Sequence, residues 1–339
     1  MKAAVTEGKG DVKIVDVPVP EPGPYQCLCR MLACATCTGT DLKIIHGKLP
    51  WEEKYPAIFG HESVGKVLKT GNKVRYIKEG ETYLRPMSVY PGQKFGGYHS
   101  IWGGFSEYGL ITDMKALLED NPGTEPDCMQ YQMNIPGDIK ISPGEAIMLI
   151  TLKETAGFVA DMKITLNNSV AVLGAGPVAM SMCLFAKFFG AFPLIAVARR
   201  DEPLEVIRRF GVNFTVNNSK EDMVKKAIEL TGGKGVDFII DTAGDEKLFA
   251  EACRMLAGNG KIAPYATFTR ADALEGISES KILKANTGEV PAHNYLLDLV
   301  RMNKVNLKDF YSHTMPFSEI GKGFEMLEKR EAFKIVFEM

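Results

Sequence analysis

A two-part α/β protein is expected, with a β-rich first part followed by a doubly wound parallel sheet whose strands alternate with helices. Three observations predict it. The length of 339 residues suits two domains, at about 100–200 residues each. Residues 1–110 hold short β-rich segments cut at close intervals by Gly and Pro. From residue 146 onward, short apolar runs alternate with helical patterns, the signature of βαβ units with right-handed crossovers.

The elements follow in order. KAAVTE, VKIVDVPVP and SVGKVLKTG read as strands of the first part. Residues 114–140 are acidic, carry Pro and Gly, and have few apolar side chains, so they read as an exposed loop. AIMLITLKETAGFVADM reads as a helix and SVAVLG as a buried strand. Then come helix MSMCLFAKFFG, strand PLIAVA, helix EPLEVIRRFG, strand NFTVNN, helix KEDMVKKAIELTGG, strand VDFIID, helix KLFAEACRMLAGNG and strand KIAPYAT. Past residue 290 the pattern is helix HNYLLDLVRMN, helix SEIGKGFEMLEKR and strand FKIVFEM.

Composition excludes several functions. Hydrophobic residues make up 45% and charged ones 24%, ordinary for a globular protein. Lys and Arg number 40 against 42 Asp and Glu, with no basic run, so no electrostatic footprint for nucleic acid exists. No apolar stretch reaches the roughly 18 residues of a membrane span. MKAAVTEGKG lacks the apolar core of a signal peptide, and a cytoplasmic location is expected. Seven cysteines cannot all pair within the chain; in a reducing compartment they are free thiols or metal ligands. Cys27, Cys29, Cys34 and Cys37 crowd together, and the next is Cys128.

SVAVLG-AGPVA places Gly174, Gly176 and Ala179 as GxGxxA between a strand and a helix, with Pro177 and Val178 opening that helix. The first Gly permits the tight turn, the second lets the backbone approach a pyrophosphate, and the small third residue lets helix and strand pack closely. The phosphates then meet the helix N-terminal amides. An NAD site usually shows an acid at the end of the second strand. PLIAVA instead ends at Ala198, followed by Arg199 and Arg200. A small residue before Arg leaves room for a 2′-phosphate and supplies a guanidinium for it. NADP(H) is therefore favoured over NAD(H); the other reading makes Asp201 the ribose acid.

CTGTD at 37–41 and GHE at 60–62 supply a thiolate and an imidazole, which suit zinc. Asp41 suits a carboxylate that fixes the tautomer of a ligating His, and Thr40 offers a hydroxyl able to pass a proton.

With GAGPVA, these motifs resemble the zinc-dependent medium-chain dehydrogenase/reductase family, the alcohol, sorbitol and threonine dehydrogenase group. The similarity runs through almost the whole chain, including MKAAV, GGFSEY at 103–108, IPGDIKISPGEA and MPFSEIGKGFEML followed by KIVF. It implies a GroES-like catalytic domain over 1–153, a Rossmann domain over 154–290, a return to the catalytic domain over 291–339, and an active site in the cleft. By position, Cys37 and His61 look like ligands of one catalytic zinc per chain. Glu62 lies close to the metal in the family and sometimes binds it, and Glu154 in LITLKETAG matches a third ligand; the other reading makes Glu154 a helix-surface partner of Lys153. Thr40 looks like the proton relay. The implied substrate is a small secondary alcohol (polyol, sugar or cyclitol-like) or its ketone, and the implied assembly a homodimer or homotetramer.

The chain departs from the family pattern in three places. Thr38 stands between Cys37 and Gly39, so a gap-free match would put Thr38 at the metal; an insertion keeps Cys37, with Cys34 as second choice. Lys43 stands where many members complete the relay with His. Residues 62–127 contain no Cys, so the structural zinc lobe of many members is absent. Cys27, Cys29, Cys183 and Cys253 read as buried thiols, Cys128 has no assigned role, and His46, His99, His293 and His313 read as surface or structural. Tyr98, Trp102 and Phe105 suit either a cleft wall or a packed turn. The rival readings are a zinc-free reductase of quinone or enoyl type and a non-catalytic nucleotide-binding protein.

Overall fold

A computed structural model describes residues 1–50, 53–268, 270 and 274–339. Contacts divide the chain into two units: Met1–Ile150 with His293–Met339, and Thr151–Ala292. Among the described residues, no helix is long and apolar enough to cross a membrane.

The first unit is built on the strand Gln26–Ala35. Its residues alternate, so that Cys27, Cys29, Met31 and Ala33 are buried on one face, as a half-buried strand requires. Cys27 and Cys29 pack with Val67, Tyr83 and Ile111, and burial pushes the Cys27 thiol up to about 12. They are inert filler rather than ligands. Gln26–Ala35 pairs antiparallel with Ser63–Thr70, with Tyr108–Thr112 and with the C-terminal strand Ile335–Glu338. The sheet continues through Thr82–Leu84 to Asn134–Ile135 on one side and to His313–Pro316 on the other. A second sheet orders Lys13–Asp16, Lys2–Thr6, Ala57–Ile58, Tyr98–Ser100 and Lys94–Phe95. Phe59, Phe105, Phe324, Phe337, Ile44 and Ile45 form an apolar cluster in this unit.

The 114–140 segment is not the loop expected of it. It contains a helix, Met114–Asp120, a 3-10 turn, Cys128–Tyr131, and the strand Asn134–Ile135. Asp113 caps the helix by accepting from Ala116 N, and Arg75 grips its end through Glu119 and Asp120. The acidic residues thus mark a capped, ion-paired helix.

The second unit is a five-stranded parallel sheet in the order Phe214–Asn217, Leu194–Ala198, Val170–Leu173, Val236–Asp241, Leu256–Pro264. The strand order reverses at Val170–Leu173, so the crevice for a ligand opens past the carboxyl ends of the central strands. Val170–Leu173 is buried throughout, which explains its unbroken apolar run. Helices follow in alternation: Pro177–Phe188, Asp201–Ile207, Met223–Leu230 and Glu246–Ala252.

Gly157, in the helix Pro143–Asp161, touches the 287–288 backbone. A Cβ there would stand 1.6 Å from the Thr287 carbonyl oxygen. Nearby, the Asn286 N–H donates to Asp161 at 2.8 Å, and Lys153 pairs with Glu289 at 3.3 Å. Backbone cannot yield as a side-chain tip does, so Gly157→Ala should cost about 2–3 kcal/mol. Gly137→Ala, where a Cβ meets nothing within 4 Å, should cost far less; denaturant midpoints of the two variants check this.

Candidate metal centre and nucleotide site

The helix Thr38–Ile45 starts just past the strand Gln26–Ala35, and Cys37 is its N-cap. Cys37 makes no side-chain cap. Instead its backbone N–H donates to Asp41 Oδ2 at 2.7 Å. Asp41 is fully buried. Its other oxygen, Oδ1, lies 3.6 Å from His61 Nδ1, and neither of these buried atoms has a hydrogen-bond partner. Burial pushes the Asp41 carboxyl up to about 7, against the downward pull of His61.

Strand pairing supplies the other side of the site. Cys34 is in register with Ser63, and the Ala35 N–H donates to the Glu62 carbonyl at 3.0 Å. His61 and Glu62 are thereby held beside Cys37. One ligand atom each from Cys37, His61 and Glu62 lies within 4.8 Å of the others. Tetrahedral zinc with bonds of about 2.0–2.3 Å needs ligand atoms about 3.3–3.8 Å apart, so small side-chain movements would bring this set within reach of one ion. Thiolate, imidazole and carboxylate are the donors zinc prefers. With Nδ1 facing Asp41, Nε2 is the ring nitrogen left for a metal.

Thr40 Oγ1 lies 3.7 Å from Cys37 Sγ. The Thr38 hydroxyl turns away and donates to the Phe333 carbonyl at 3.0 Å. Cys34 is fully buried in the sheet, within the Phe59–Phe105 cluster. The donor set therefore contains Cys37 and neither Thr38 nor Cys34.

Lys334 is a part of the site that sequence reasoning missed. Its side chain is 5% exposed and ion-paired with Glu62, itself 3% exposed. Hydrogen bonds of 3.0 Å from Thr36 N to Ile335 O and from Ile335 N to Thr36 Oγ1 bring it there. Burial and Glu62 raise the Cys37 thiol above its ordinary value, while Lys334 pulls it down.

Glu154 belongs to the second unit. Its Oε2 accepts from the Tyr265 hydroxyl at 3.1 Å, and Tyr265 stands edge-on to Phe158, 5.2 Å between ring centroids. Lys153, the partner of Glu154 in the other reading, is fully buried and ion-paired with Glu289 at 3.3 Å. Tyr265, just past the fifth strand, carries no motif that would have announced it.

The nucleotide fingerprint has the shape a dinucleotide needs. Gly174 has φ +117°, and a Cβ there would stand 2.4 Å from Thr242 Oγ1, so only Gly fits. Gly176 is the N-cap of Pro177–Phe188, and a Cβ on it would meet nothing within 4 Å. That open space over the helix N-terminus would admit a pyrophosphate. Ala179 is fully buried and lets the helix close on the strand. At the second strand's end, Arg199 pairs with Asp245 at 2.7 Å. Arg200 is exposed, with no ion pair among the described residues. Asp201 accepts from Asn217 Nδ2 at 2.6 Å and pairs with Lys220, which holds its carboxyl below the usual range.

Residues 23–119 match the model of the alcohol dehydrogenase GroES-like domain, and residues 177–287 match that of the zinc-binding dehydrogenases. The chain belongs to the zinc-dependent medium-chain dehydrogenase family. As a member it is an oxidoreductase that interconverts an alcohol and its carbonyl compound. An NADP-dependent isopropanol dehydrogenase of Thermoanaerobacter brockii is 28% identical, over 97% of this chain and 94% of that protein. An L-threonine 3-dehydrogenase of Pyrococcus horikoshii is 26% identical, over 96% and 94%. Among solved structures, the zinc-dependent alcohol dehydrogenase 2 from Streptococcus pneumonia gives a TM-score of 0.79 at 25% identity, covering 100% of this chain and 98% of that one. Benzyl alcohol dehydrogenase from Acinetobacter calcoaceticus, at 21% identity with coverage of 100% and 99%, gives 0.80 and shares the fold.

Removing the buried cation beside Glu62 should be costly. Lys334→Met strips the Glu62 carboxylate of its countercharge and should destabilise the protein by about 3–5 kcal/mol. Adding Glu62→Gln should recover most of that loss, which a double-mutant cycle on denaturant midpoints measures.

Proposed function

We propose that this dehydrogenase works with one zinc per chain, prefers NADP(H), and oxidises secondary alcohols of polyol, sugar or cyclitol type or reduces their ketones. The observation that carries the zinc reading is the donor set of Cys37, His61 and Glu62, with Asp41 touching two of the three. Cys37 and His61 hold the metal, Glu154 serves as third ligand, and Glu62 lies beside it with its charge balanced by Lys334. When bound, zinc polarises the substrate oxygen and the nicotinamide exchanges the hydride. The chain's own residues do the rest. Thr40, next to the Cys37 sulfur, relays the alcohol proton through Oγ1, accepting it as its own hydroxyl proton passes on to water. Asp41 keeps His61 in the tautomer that carries its proton on Nδ1. Gly174, Gly176, Pro177 and Val178 seat the pyrophosphate on the helix N-terminus.

Two features of the Arg pair support NADP(H). Arg199 is already engaged by Asp245, whereas Arg200 is exposed after the small Ala198 and suits a 2′-phosphate. Asp201, the acid that would serve NAD, is held by Asn217 and Lys220. The T. brockii relative is NADP-dependent by its name. The substrate class rests on the Glu154 ligand and the missing cysteine lobe, by resemblance. Assembly as a homodimer or homotetramer in the cytoplasm completes the reading.

Cys37→Ala and His61→Ala should each abolish stoichiometric zinc in elemental analysis, together with turnover; full activity of metal-free protein would contradict the assignment. Arg200→Ala should raise KM for NADP(H) about 10–100-fold, the worth of one charged hydrogen bond, and leave KM for NAD(H) nearly unchanged. Steady-state kinetics with both cofactors on one alcohol panel reads this, and also ranks the substrates.

A further inference from the structure

Trp102 has φ +67°. For a bulky side chain that left-handed conformation is an outlier, and such strain persists only where the surroundings over-determine it. Here they do. On one side of Trp102, the Ile101 N–H donates to the Ile58 carbonyl at 2.8 Å. On the other, the Gly104 and Phe105 N–H groups donate to Gly60 and Phe59 at 2.7 and 2.9 Å. The Gly103 carbonyl accepts from both Ser88 N and Ser88 Oγ, at 2.9 and 3.0 Å. The turn is therefore laced to 58–60, the segment that runs directly into His61. Glycine would satisfy the same backbone without strain, yet the chain carries its largest side chain there. The indole meets the His61 imidazole, with ring centroids 5.3 Å apart and planes tilted by 56°.

We propose that Trp102 is a positioning residue for the metal centre. It confines the His61 ring from the side while Asp41 faces Nδ1, so the imidazole is held in the orientation that presents Nε2 to zinc. The strained turn is what places the indole there. This inference rests on the reading of Cys37 and His61 as zinc ligands.

The test uses the full chain and three variants: Trp102→Phe, Trp102→Leu and Trp102→Gly. Zinc affinity is measured by competition with a chelator, and thermal midpoints are recorded for metal-free protein. A partner that orients a ligating His typically moves metal affinity by about tenfold or more. Trp102→Leu, which keeps apolar bulk but loses the ring, should bind zinc about tenfold more weakly, and Trp102→Phe should restore binding to within about twofold of the parent. Trp102→Gly, if folded, should bind as weakly as Trp102→Leu even where relief of strain keeps its metal-free midpoint high. Parent-like zinc affinity in Trp102→Leu overturns the proposal. So does affinity that merely follows metal-free stability, with Phe and Leu weakened alike, because that marks a packing role. A parent protein that binds no zinc removes the underlying metal reading and this inference with it, which separates the two failures.

Discussion

The candidate metal centre depends on one buried carboxylate. Asp41 accepts the Cys37 N–H with one oxygen and faces His61 Nδ1 with the other. It thereby ties together two donors that lie 24 residues apart in sequence. The first contact fixes where the helix Thr38–Ile45 begins, hence where the Cys37 sulfur sits. The second sets which nitrogen of His61 is left for a metal. A buried charge is costly without compensation. Asp41, Glu62 and the Cys37 thiol share a region whose buried Lys is Lys334. A dication would complete that balance; burial raises both the Asp41 carboxyl and the Cys37 thiol.

The nucleotide end uses the same economy of side chains. Asp245 caps the helix Glu246–Ala252 through Leu248 N and also receives Arg199. The first Arg of the pair is thus part of the scaffold, and the second faces solvent. The open space at Gly176 and the crowding at Gly174 are opposite surroundings met by one residue type: the first leaves room over the helix N-terminus, and the second is imposed by the packing against Thr242.

Much of this was legible in the chain, because local chemistry wrote it. GAGPVA needs only a strand, a turn and a helix, and alternating apolar runs gave the parallel sheet its five strands. GHE and CTGTD held the candidate donors Cys37, His61 and Glu62, which the structure brings together. Whether Thr38 or Cys37 turns toward His61 and Glu62 was not legible, since it depends on a hydroxyl finding the Phe333 carbonyl, 295 residues away. Lys334 and Tyr265 were hidden for the same reason: strand register across distant segments decides their neighbours, and no spacing rule carries it. The 114–140 segment was misread because its acids looked solvated, whereas Asp113, Glu119 and Asp120 cap a helix and pair with Arg75. Trp102 could be either a wall or a packed turn from sequence; its left-handed backbone and its contact with His61 emerge only in three dimensions.

The most direct measurement is the zinc affinity of Asp41→Asn. An amide keeps one acceptor and adds a donor, so it can serve Cys37 N or His61 Nδ1–H but not both. Loss of a carboxylate behind a ligating His typically lowers metal affinity about 10–100-fold. The account predicts a fall of that size by chelator competition, with the variant still folded. An affinity equal to that of the parent would contradict it.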